Sequence, residues 1–325
     1  MKFAIVGAGA IGAFVGAMLA KAGEDVTLIA RGAHLRAMQE HGVRVRGALG
    51  SFDARVSATD DPATVGAVDV VLLTLKAHSL TTMAPRLAPL IGAETSVVSA
   101  QNGIPWWYFY HHGGDWDGTQ LESVDPGGVI NQSIDPARVI GCVIYPSAII
   151  TEPGIIQHIE GTRFAIGEPD GSKSERCRKI ADAFIKAGLR CPIRTNIRHD
   201  MWVKLMGNVA YNPISALTHA TLIEIVQCAE TRQLAASIMT EAESVAQRLG
   251  IEMGVSIEQR LDGAEKVGHH KTSMLQDLES GRPMELEAIV GAVVELGDRM
   301  RLPLPCTQAV YACVKLLADA KTKTE

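Results

Sequence analysis

A lysine and two asparagines are spaced so that they share one face of a predicted helix. Lys204, Asn208 and Asn212 lie four residues apart, and at about 3.6 residues per turn this spacing stacks one amine and two amides. The flanking residues, such as Trp202 and Val203, are apolar, so we predict a largely buried helix. Buried polar side chains need polar partners. The pattern therefore predicts a polar ligand here, to which an amine can donate a proton and amides can hydrogen-bond.

The beginning of the chain carries a glycine pattern typical of dinucleotide binding. A G-x-G-x-x-G sequence directly follows a predicted strand over 2–6 and opens a predicted helix over 10–22. In this context the first glycine allows a tight turn, the second admits a pyrophosphate and the third permits close helix–strand packing. The helix N-terminus attracts phosphate. The predicted cofactor-binding turn consists of Gly7, Ala8, Gly9, Ala10, Ile11 and Gly12.

Residues that end the following strands indicate which dinucleotide binds. A cofactor without a 2′-phosphate usually meets Asp or Glu after the second strand, but the chain has Arg31 there and no acid through Arg36. Because an arginine can pair with a 2′-phosphate through two charge-assisted contacts, we predict NADPH as the cofactor. Lys76 and Asn102 follow two later strands, at the edge where open α/β sheets bind ligands.

Composition and charge exclude several classes of protein. The formal net charge of −5 argues against nucleic acid or an anionic membrane as a partner. No run of residues approaches a membrane-spanning length, and no leader precedes the first strand, so we expect a soluble, cytoplasmic protein. The six cysteines show no C-x-x-C pair, which favours reduced, mostly buried thiols. The histidines have no metal-ligand spacing, so no metal site is predicted.

The predicted elements indicate an α/β protein with two domains, as its 325 residues also suggest. Apolar strands alternate with helical segments in the first part, and helical periodicity prevails from about residue 196. We predict a Rossmann-type, doubly wound sheet over 1–195 and an all-α domain over 196–325. The predicted strands cover 2–6, 25–30, 69–75, 96–100 and 139–144, and the later helices cover 198–217, 230–249, 256–267, 284–300 and 307–320.

The aromatic residues are concentrated in one segment after Asn102. Residues 106–110 read Trp-Trp-Tyr-Phe-Tyr, and the Gly- and Asp-rich stretch 111–128 that follows is predicted to be a loop. Such a run of aromatic side chains can pack in a core, form a subunit contact or line a binding site. The sequence leaves these three alternatives open.

These features together resemble the ketopantoate reductase family, the NADPH-dependent 2-dehydropantoate 2-reductases, over nearly the whole chain. The most specific motifs are W-x-K-L-x-x-N-x-x-x-N-P, from Trp202 to Pro213, and S-M-L-Q-D, from Ser273 to Asp277. The other matching features are Gly7–Gly12, Arg31, Lys76, Asn102-Gly103, the stretch from Pro153 to Gly161, and Glu285.

The resemblance implies roles for individual residues. Lys204 would be the proton donor, and Glu285 would assist catalysis at the cofactor side. Asn102 would touch both ligands. Ser273 and Glu285 also have ordinary structural explanations, as a helix cap and as an acid in a first helical turn. The substrate-binding residues implied by the family are Asn102, Asn208, Asn212 and Ser273.

The reaction implied by the resemblance is reduction of 2-dehydropantoate, a small 2-oxo acid, to pantoate in pantothenate biosynthesis and hence the coenzyme A pathway. One alternative is the same chemistry on another 2-oxo acid, with residues 106–128 reshaping the pocket. Another is a non-catalytic NADP(H)-binding sensor, which would not need Lys204, Asn208, Asn212 and Ser273 together. Helical second domains often support dimers, so a homodimer is compatible with the sequence by analogy alone.

Overall fold

The computed structural model describes residues 1–322, and its contacts divide the chain into two compact units. Unit 1 contains residues 1–101, 105–120 and 125–197. Unit 2 contains residues 198–325 together with two short segments, 102–104 and 121–124. The polar end of the predicted second domain, residues 323–325, lies outside the described residues.

Unit 1 holds the strands and five helices, and the sequence-predicted parallel sheet is confirmed. Its main sheet has the strand order β11-β8-β7-β6-β1-β2-β5, in which only the pair β8–β11 is antiparallel. The strands are β1 (Lys2–Val6), β2 (Asp25–Ile29), β3 (Val43–Gly47), β4 (Phe52–Ala54), β5 (Ser57–Thr59), β6 (Val68–Leu73), β7 (Ile91–Ser99), β8 (Val139–Ile144), β9 (Ser147–Glu152), β10 (Ile155–Glu160) and β11 (Phe164–Gly167). The helices are α1 (Ala10–Lys21), α2 (Gly32–His41), α3 (Ala77–Met83), α4 (Val129–Ser133) and α5 (Glu175–Lys186).

A second sheet of four strands, in the order β4-β3-β10-β9, accompanies the main sheet within unit 1. Helix α1 contacts strands of both sheets, and its small residues allow close approach. A Cβ atom on Gly16 would come within 2.5 Å of Leu28 Cδ2 and 3.0 Å of Ile5 Cδ1. Strands β3 and β4 were not predicted from the sequence.

The aromatic segment belongs to unit 1, and four of its side chains are buried. Trp106, Trp107, Tyr108 and Phe109 are each at most 6% exposed. The Trp107 ring lies against β8, where a Cβ atom on Gly141 would come within 2.6 Å of Trp107 Cη2. Of the three alternatives, core packing is therefore the one the structure supports for these four side chains.

Unit 2 is helical, as predicted for this part of the chain. Its helices are α6 (Ile197–Thr218), which begins on the last residue of unit 1, α7 (Leu222–Gln227), α8 (Ala229–Arg248), α9 (Ile257–Val267), α10 (Ser273–Glu279), α11 (Ala292–Met300) and α12 (Pro305–Thr322). A π-helical turn, Glu287–Gly291, leads into α11 where a regular helix was predicted. Helix α6 continues for five residues beyond Pro213, so this proline does not end it.

No helix among the described residues is long and apolar enough to cross a membrane. Within the same residues, no group of three or more His, Cys, Asp or Glu side chains is arranged to hold a metal ion. Three cysteines (Cys142, Cys177 and Cys191) are buried, whereas Cys228 and Cys313 are exposed, so the thiols are less uniformly buried than predicted.

Replacing Trp107 with alanine should destabilise the protein strongly, because the change leaves a cavity beside β8. We expect the free energy of unfolding to fall by about 3–5 kcal/mol, as measured by urea denaturation. Trp116, which is partly exposed, provides a matched control, and its replacement with alanine should cost far less. Equal losses from both variants would contradict the core assignment.

Candidate functional site

The predicted dinucleotide-binding turn joins β1 to α1 in unit 1. The N–H groups of Gly7 and Ala8 both donate to the carbonyl oxygen of Ile29, at 3.1 and 3.0 Å. Gly7 has a φ of +91°, and a Cβ atom there would lie 2.5 Å from the Leu75 main chain. Glycine is therefore required at position 7 by both backbone conformation and space.

The third glycine of the pattern, Gly12, is equally constrained. A Cβ atom at Gly12 would collide with Thr74 Oγ1 and lie 2.6 Å from the Gly7 carbonyl oxygen. Thr74 follows β6, and its hydroxyl donates to that same Gly7 oxygen at 3.0 Å. Thr74 was not predicted from the sequence, because its contact with Gly7 depends on β6 lying beside β1.

The second glycine, Gly9, has open space on its side-chain face. A Cβ atom there would meet only the Gly7 carbonyl oxygen, at 3.9 Å, and the φ of −75° is accessible to any residue. The first N–H groups of an α-helix have no acceptor within the helix, and α1 begins at Ala10. This turn can therefore bind an anionic group such as a pyrophosphate.

Two cations predicted to bind the cofactor occupy equivalent places in unit 1. Arg31 is the N-cap residue of α2 and Lys76 is the N-cap residue of α3. These helices follow β2 and β6, the two neighbours of β1 in the sheet. Because carboxyl ends of parallel strands lie on one edge, the structure places both cations on the edge that carries the glycine turn.

In unit 2, the structure brings together three of the predicted site residues. Lys204 Nζ donates to Asn102 Oδ1 at 2.7 Å, and Asn102 Nδ2 donates to Glu285 Oε2 at 3.2 Å. Glu285 is only 5% exposed, and Lys204 and Asn102 are half-buried. The two hydrogen bonds fix the orientation of the Asn102 amide, since its oxygen faces an amine and its nitrogen faces a carboxylate.

Asn102 reaches this position because the next residue is glycine. Gly103 has a φ of +84°, and a Cβ atom there would overlap the Ala288 carbonyl group. That same carbonyl accepts a hydrogen bond of 2.8 Å from the N–H of Ile104. Ala288 belongs to the π-helical turn, and such turns occur frequently at functional sites. The turn contacts Gly103 and directly follows the segment that carries Glu285. It therefore supports both Asn102 and Glu285 in the hydrogen-bonded series Lys204–Asn102–Glu285.

The two asparagines of the predicted polar face lie one and two turns beyond Lys204 on α6. Asn208 is half-buried, and Asn212 is 4% exposed. Asn212 Nδ2 is inaccessible to water and has no hydrogen-bond acceptor among residues 1–322. A buried donor without an acceptor costs about 1–3 kcal/mol. This donor is therefore suited to a ligand that supplies an acceptor.

Ser273 is the exposed first residue of α10, and it does not cap this helix. The cap is Thr272, whose hydroxyl accepts from the Leu275 N–H at 3.2 Å. Glu285 precedes the π-helical turn and does not lie in the first turn of a regular helix. Both structural explanations given for these residues are therefore wrong in detail.

Unit 2 also contains a carboxylate that fixes the short segment 121–124. Glu295 accepts hydrogen bonds from the N–H and hydroxyl groups of Ser123, at 2.9 and 2.6 Å, and from the Glu122 N–H at 3.1 Å. Burial raises the pKa of Glu295, but these donors and Arg299 outweigh that effect and hold the pKa below its usual value. The carboxylate form is thus the one that binds the segment.

Comparison with known proteins identifies the family of the chain. The model of the family described as "Ketopantoate reductase PanE/ApbA" matches residues 3–106, and the model of its C-terminal part matches residues 196–318. A 2-dehydropantoate 2-reductase from Mesorhizobium japonicum is 51% identical over 98% of both chains. The chain belongs to the ketopantoate reductase family. It is therefore an oxidoreductase of a family that depends on a nicotinamide cofactor.

Solved structures similar to this ketopantoate reductase family member share its fold. A Ralstonia solanacearum protein to which ketopantoate reductase activity is ascribed has a TM-score of 0.93 and 39% identity, with 99% of this chain and 98% of that chain covered. A 2-dehydropantoate 2-reductase from Methylococcus capsulatus has a TM-score of 0.82 and 30% identity, with 99% and 98% covered. A D-mandelate dehydrogenase complex has a TM-score of 0.85 at 23% identity, with 99% and 100% covered, and shows the fold alone.

The different surroundings of Gly9 and Gly12 predict different effects of the same substitution in this reductase. Gly9→Ala should leave the melting temperature near that of the wild type but weaken cofactor binding at least tenfold, because its methyl group occupies the open face. Gly12→Ala should lower the melting temperature by several degrees, since its methyl group meets Thr74 and Gly7. Calorimetric unfolding and cofactor titration measure both effects. A Gly9→Ala variant with unchanged cofactor affinity would contradict the assignment.

Proposed function

We propose that the protein reduces 2-dehydropantoate to pantoate with NADPH, in the cytoplasm, as a step of pantothenate biosynthesis. The observation that carries the proposal is the hydrogen-bonded chain from Lys204 through Asn102 to the buried Glu285. An amine held in one place by a neutral amide is suited to donate a proton. The high identity to the M. japonicum 2-dehydropantoate 2-reductase supports the choice of substrate. The homodimer stays a prediction by analogy.

Reduction of a 2-oxo acid needs a hydride for the carbonyl carbon and a proton for the carbonyl oxygen. When bound, NADPH supplies the hydride. In our proposal, the Lys204 ammonium stabilises the negative charge that develops on the oxygen and transfers a proton to it from Nζ. The resulting neutral amine then takes a proton from water. Asn102 limits the motion of Nζ, and Glu285 holds the Asn102 amide in the orientation that accepts from the lysine.

The asparagines of α6 are proposed to bind the substrate. The Asn212 Nδ2 donor, which lacks an acceptor among the described residues, suits a carboxylate or hydroxyl oxygen. Asn208 lies one turn nearer Lys204 and would bind a second polar group of a small acid. Ser273 is proposed as a further substrate ligand on the strength of the family motif, since its exposed hydroxyl caps nothing.

NADPH is the proposed cofactor because the turn and its flanking cations fit a phosphorylated dinucleotide. The open face at Gly9 and the first N–H groups of α1 suit the pyrophosphate. Arg31 suits the 2′-phosphate, and Lys76 adds positive charge on the same edge. Asn102 and Glu285 are proposed to contact the cofactor as well as each other.

The burial of the aromatic side chains supports the choice of 2-dehydropantoate as the proposed substrate. The alternative reaction on another 2-oxo acid supposed that residues 106–128 reshape the substrate pocket. The aromatic side chains of residues 106–109 are buried instead. That burial argues against a pocket reshaped by these four side chains. A panel of 2-oxo acids with NADPH compares the two substrate hypotheses directly.

Replacing Lys204 with alanine should abolish most turnover, because the proton donor and its charge are both lost. We expect kcat for 2-dehydropantoate to fall about 10²- to 10⁴-fold, measured by NADPH oxidation. Lys266→Ala, at an exposed position of α9, is the matched control and should retain wild-type kcat. Turnover within threefold of the wild type in the Lys204 variant would remove this lysine from its role.

Replacing Arg31 with alanine should weaken the binding of NADPH but not that of NADH. Loss of a charge-assisted contact of about 1.5–3 kcal/mol corresponds to a rise in KM for NADPH of roughly 10- to 100-fold. Arg31→Asp should shift the preference further toward NADH. Arg36→Ala changes an exposed arginine of the same helix and is the control. A wild-type protein that already prefers NADH would contradict the cofactor proposal.

A further inference from the structure

Helix α12 binds the side chain of Glu287, the first residue of the π-helical turn. The Tyr311 hydroxyl lies 2.8 Å from Glu287 Oε2 and 3.0 Å from Oε1, so it donates to this carboxylate. Lys315, one turn further along α12, places its ammonium group 3.5 Å from Glu287 Oε1 and donates to the Tyr311 oxygen at 3.0 Å. All three residues belong to unit 2, so these bonds connect α12 to the turn within one compact unit.

Tyr311 keeps its proton at neutral pH. Burial and the neighbouring Glu287 carboxylate raise the pKa of its hydroxyl, and they outweigh Lys315, which lowers this pKa. The hydroxyl is therefore available as a donor to the carboxylate. Because the acceptor is ionised, this hydrogen bond is expected to be about twice as strong as one between neutral groups.

Glycine at position 291 makes room for the contact between Glu287 and Tyr311. A Cβ atom on Gly291 would collide with Glu287 Oε2 and would lie 3.4 Å from Tyr311 Cε2. Gly291 is the buried last residue of the same π-helical turn. A side chain at this position would displace the carboxylate from its place beside the tyrosine. The end of the turn therefore permits the hydrogen bond that fixes its beginning.

Helix α12 holds Tyr311 in a fixed place. One turn before Tyr311, the N–H and hydroxyl groups of the fully buried Thr307 donate to Glu241 of α8, at 2.8 and 2.6 Å. Val310 and Val314, on either side of Tyr311 in the same helix, are also buried. The tyrosine therefore extends from a well-anchored helix and can restrain the π-helical turn.

Glu287 lies between two groups on which the site in unit 2 depends. Two residues before it is Glu285, whose carboxylate accepts a hydrogen bond of 3.2 Å from the Asn102 amide. The residue after it is Ala288, whose carbonyl accepts from the Ile104 N–H at 2.8 Å. A restraint on Glu287 therefore acts on the carboxylate that orients the Asn102 amide and on the carbonyl that holds the chain segment of Asn102.

We propose that Tyr311 is a positioning residue for the reduction, which anchors Glu287 and so keeps the π-helical turn in the shape that places Asn102 beside Lys204. This role rests on the proposed function, since it presumes that Lys204 donates the proton. Without the anchor, the turn loses a restraint and Asn102 holds the Lys204 amine less closely. A misplacement of roughly 1 Å at a reacting group can lower a rate by up to about 10²-fold.

Tyr311→Phe tests this role, because the substitution removes the hydroxyl and keeps the ring. We expect kcat for 2-dehydropantoate, measured per NADPH-binding site, to fall about tenfold. Glu287→Ala should cause a similar loss, and the double variant should lose no more than either single variant, since all three lack the same bond. Gln308→Ala is the matched control. It removes a hydrogen bond of 3.0 Å from α12 to Asp298 of α11, outside the π-helical turn, and should retain wild-type kcat.

A second comparison separates positioning from a general loss of stability. Tyr311→Phe is also made in the Asn102→Ala background, in which Lys204 is unchanged and supports the remaining turnover. If the tyrosine acts through Asn102, its substitution should change kcat in this background by less than about twofold. A merely structural role would lower kcat by the same factor in both backgrounds.

The outcomes distinguish failure of this inference from failure of the proposed function. Wild-type protein and the Gln308 variant are assayed first, and absence of NADPH oxidation with 2-dehydropantoate in both would overturn the proposed function and the positioning role with it. If both proteins turn over, a kcat of Tyr311→Phe within about twofold of the wild type would overturn the positioning role alone. An equal loss of kcat in the presence and absence of the Asn102 side chain would do the same.

Discussion

The site in unit 2 depends on one steric constraint. Any side chain at position 103 would overlap the Ala288 carbonyl group. Gly103 and the Ala288 carbonyl occupy neighbouring space, and the hydrogen bond from Ile104 keeps them there. Only with this close approach does Asn102 stand between Lys204 and Glu285. The π-helical turn contributes this carbonyl group. The arrangement of Lys204, Asn102 and Glu285 therefore depends on an irregular helical turn.

The sequence predicted those parts of the fold that follow from local patterns. Helix α6 is visible in its apolar periodicity, and the glycine turn in its spacing between a strand and a helix. Strands β3 and β4 were not predicted because they are short and carry charged residues such as Arg44 and Asp53, which interrupt an apolar run. The π-helical turn was not predicted because it depends on packing against Gly103, nearly two hundred residues away in the sequence.

The candidate site was predictable in its residue types but not in its contacts. The polar face of α6 identified Lys204, Asn208 and Asn212, and the structure adds that Lys204 is hydrogen-bonded to Asn102 and, through Asn102, linked to Glu285. Thr74 could not be identified from the sequence, because it contacts the glycine turn from the end of β6. The aromatic run shows the reverse case: its composition left core packing, a subunit contact and a binding site open, and the burial of Trp107 against β8 supports packing.

Unit 2 is made of separate segments of the chain, and this limits where the protein can be cut into fragments. Segments 102–104 and 121–124 belong to unit 2, although the rest of that unit begins at residue 198. A fragment cut at that point would keep Lys204 but lose Asn102, its hydrogen-bond partner, and would also lose Ser123, to which Glu295 is bound. Recombination of halves between relatives at this boundary would likewise pair each lysine with an asparagine from another parent. The helical unit is therefore not an exchangeable module, and its site has to evolve together with the chain of the first unit.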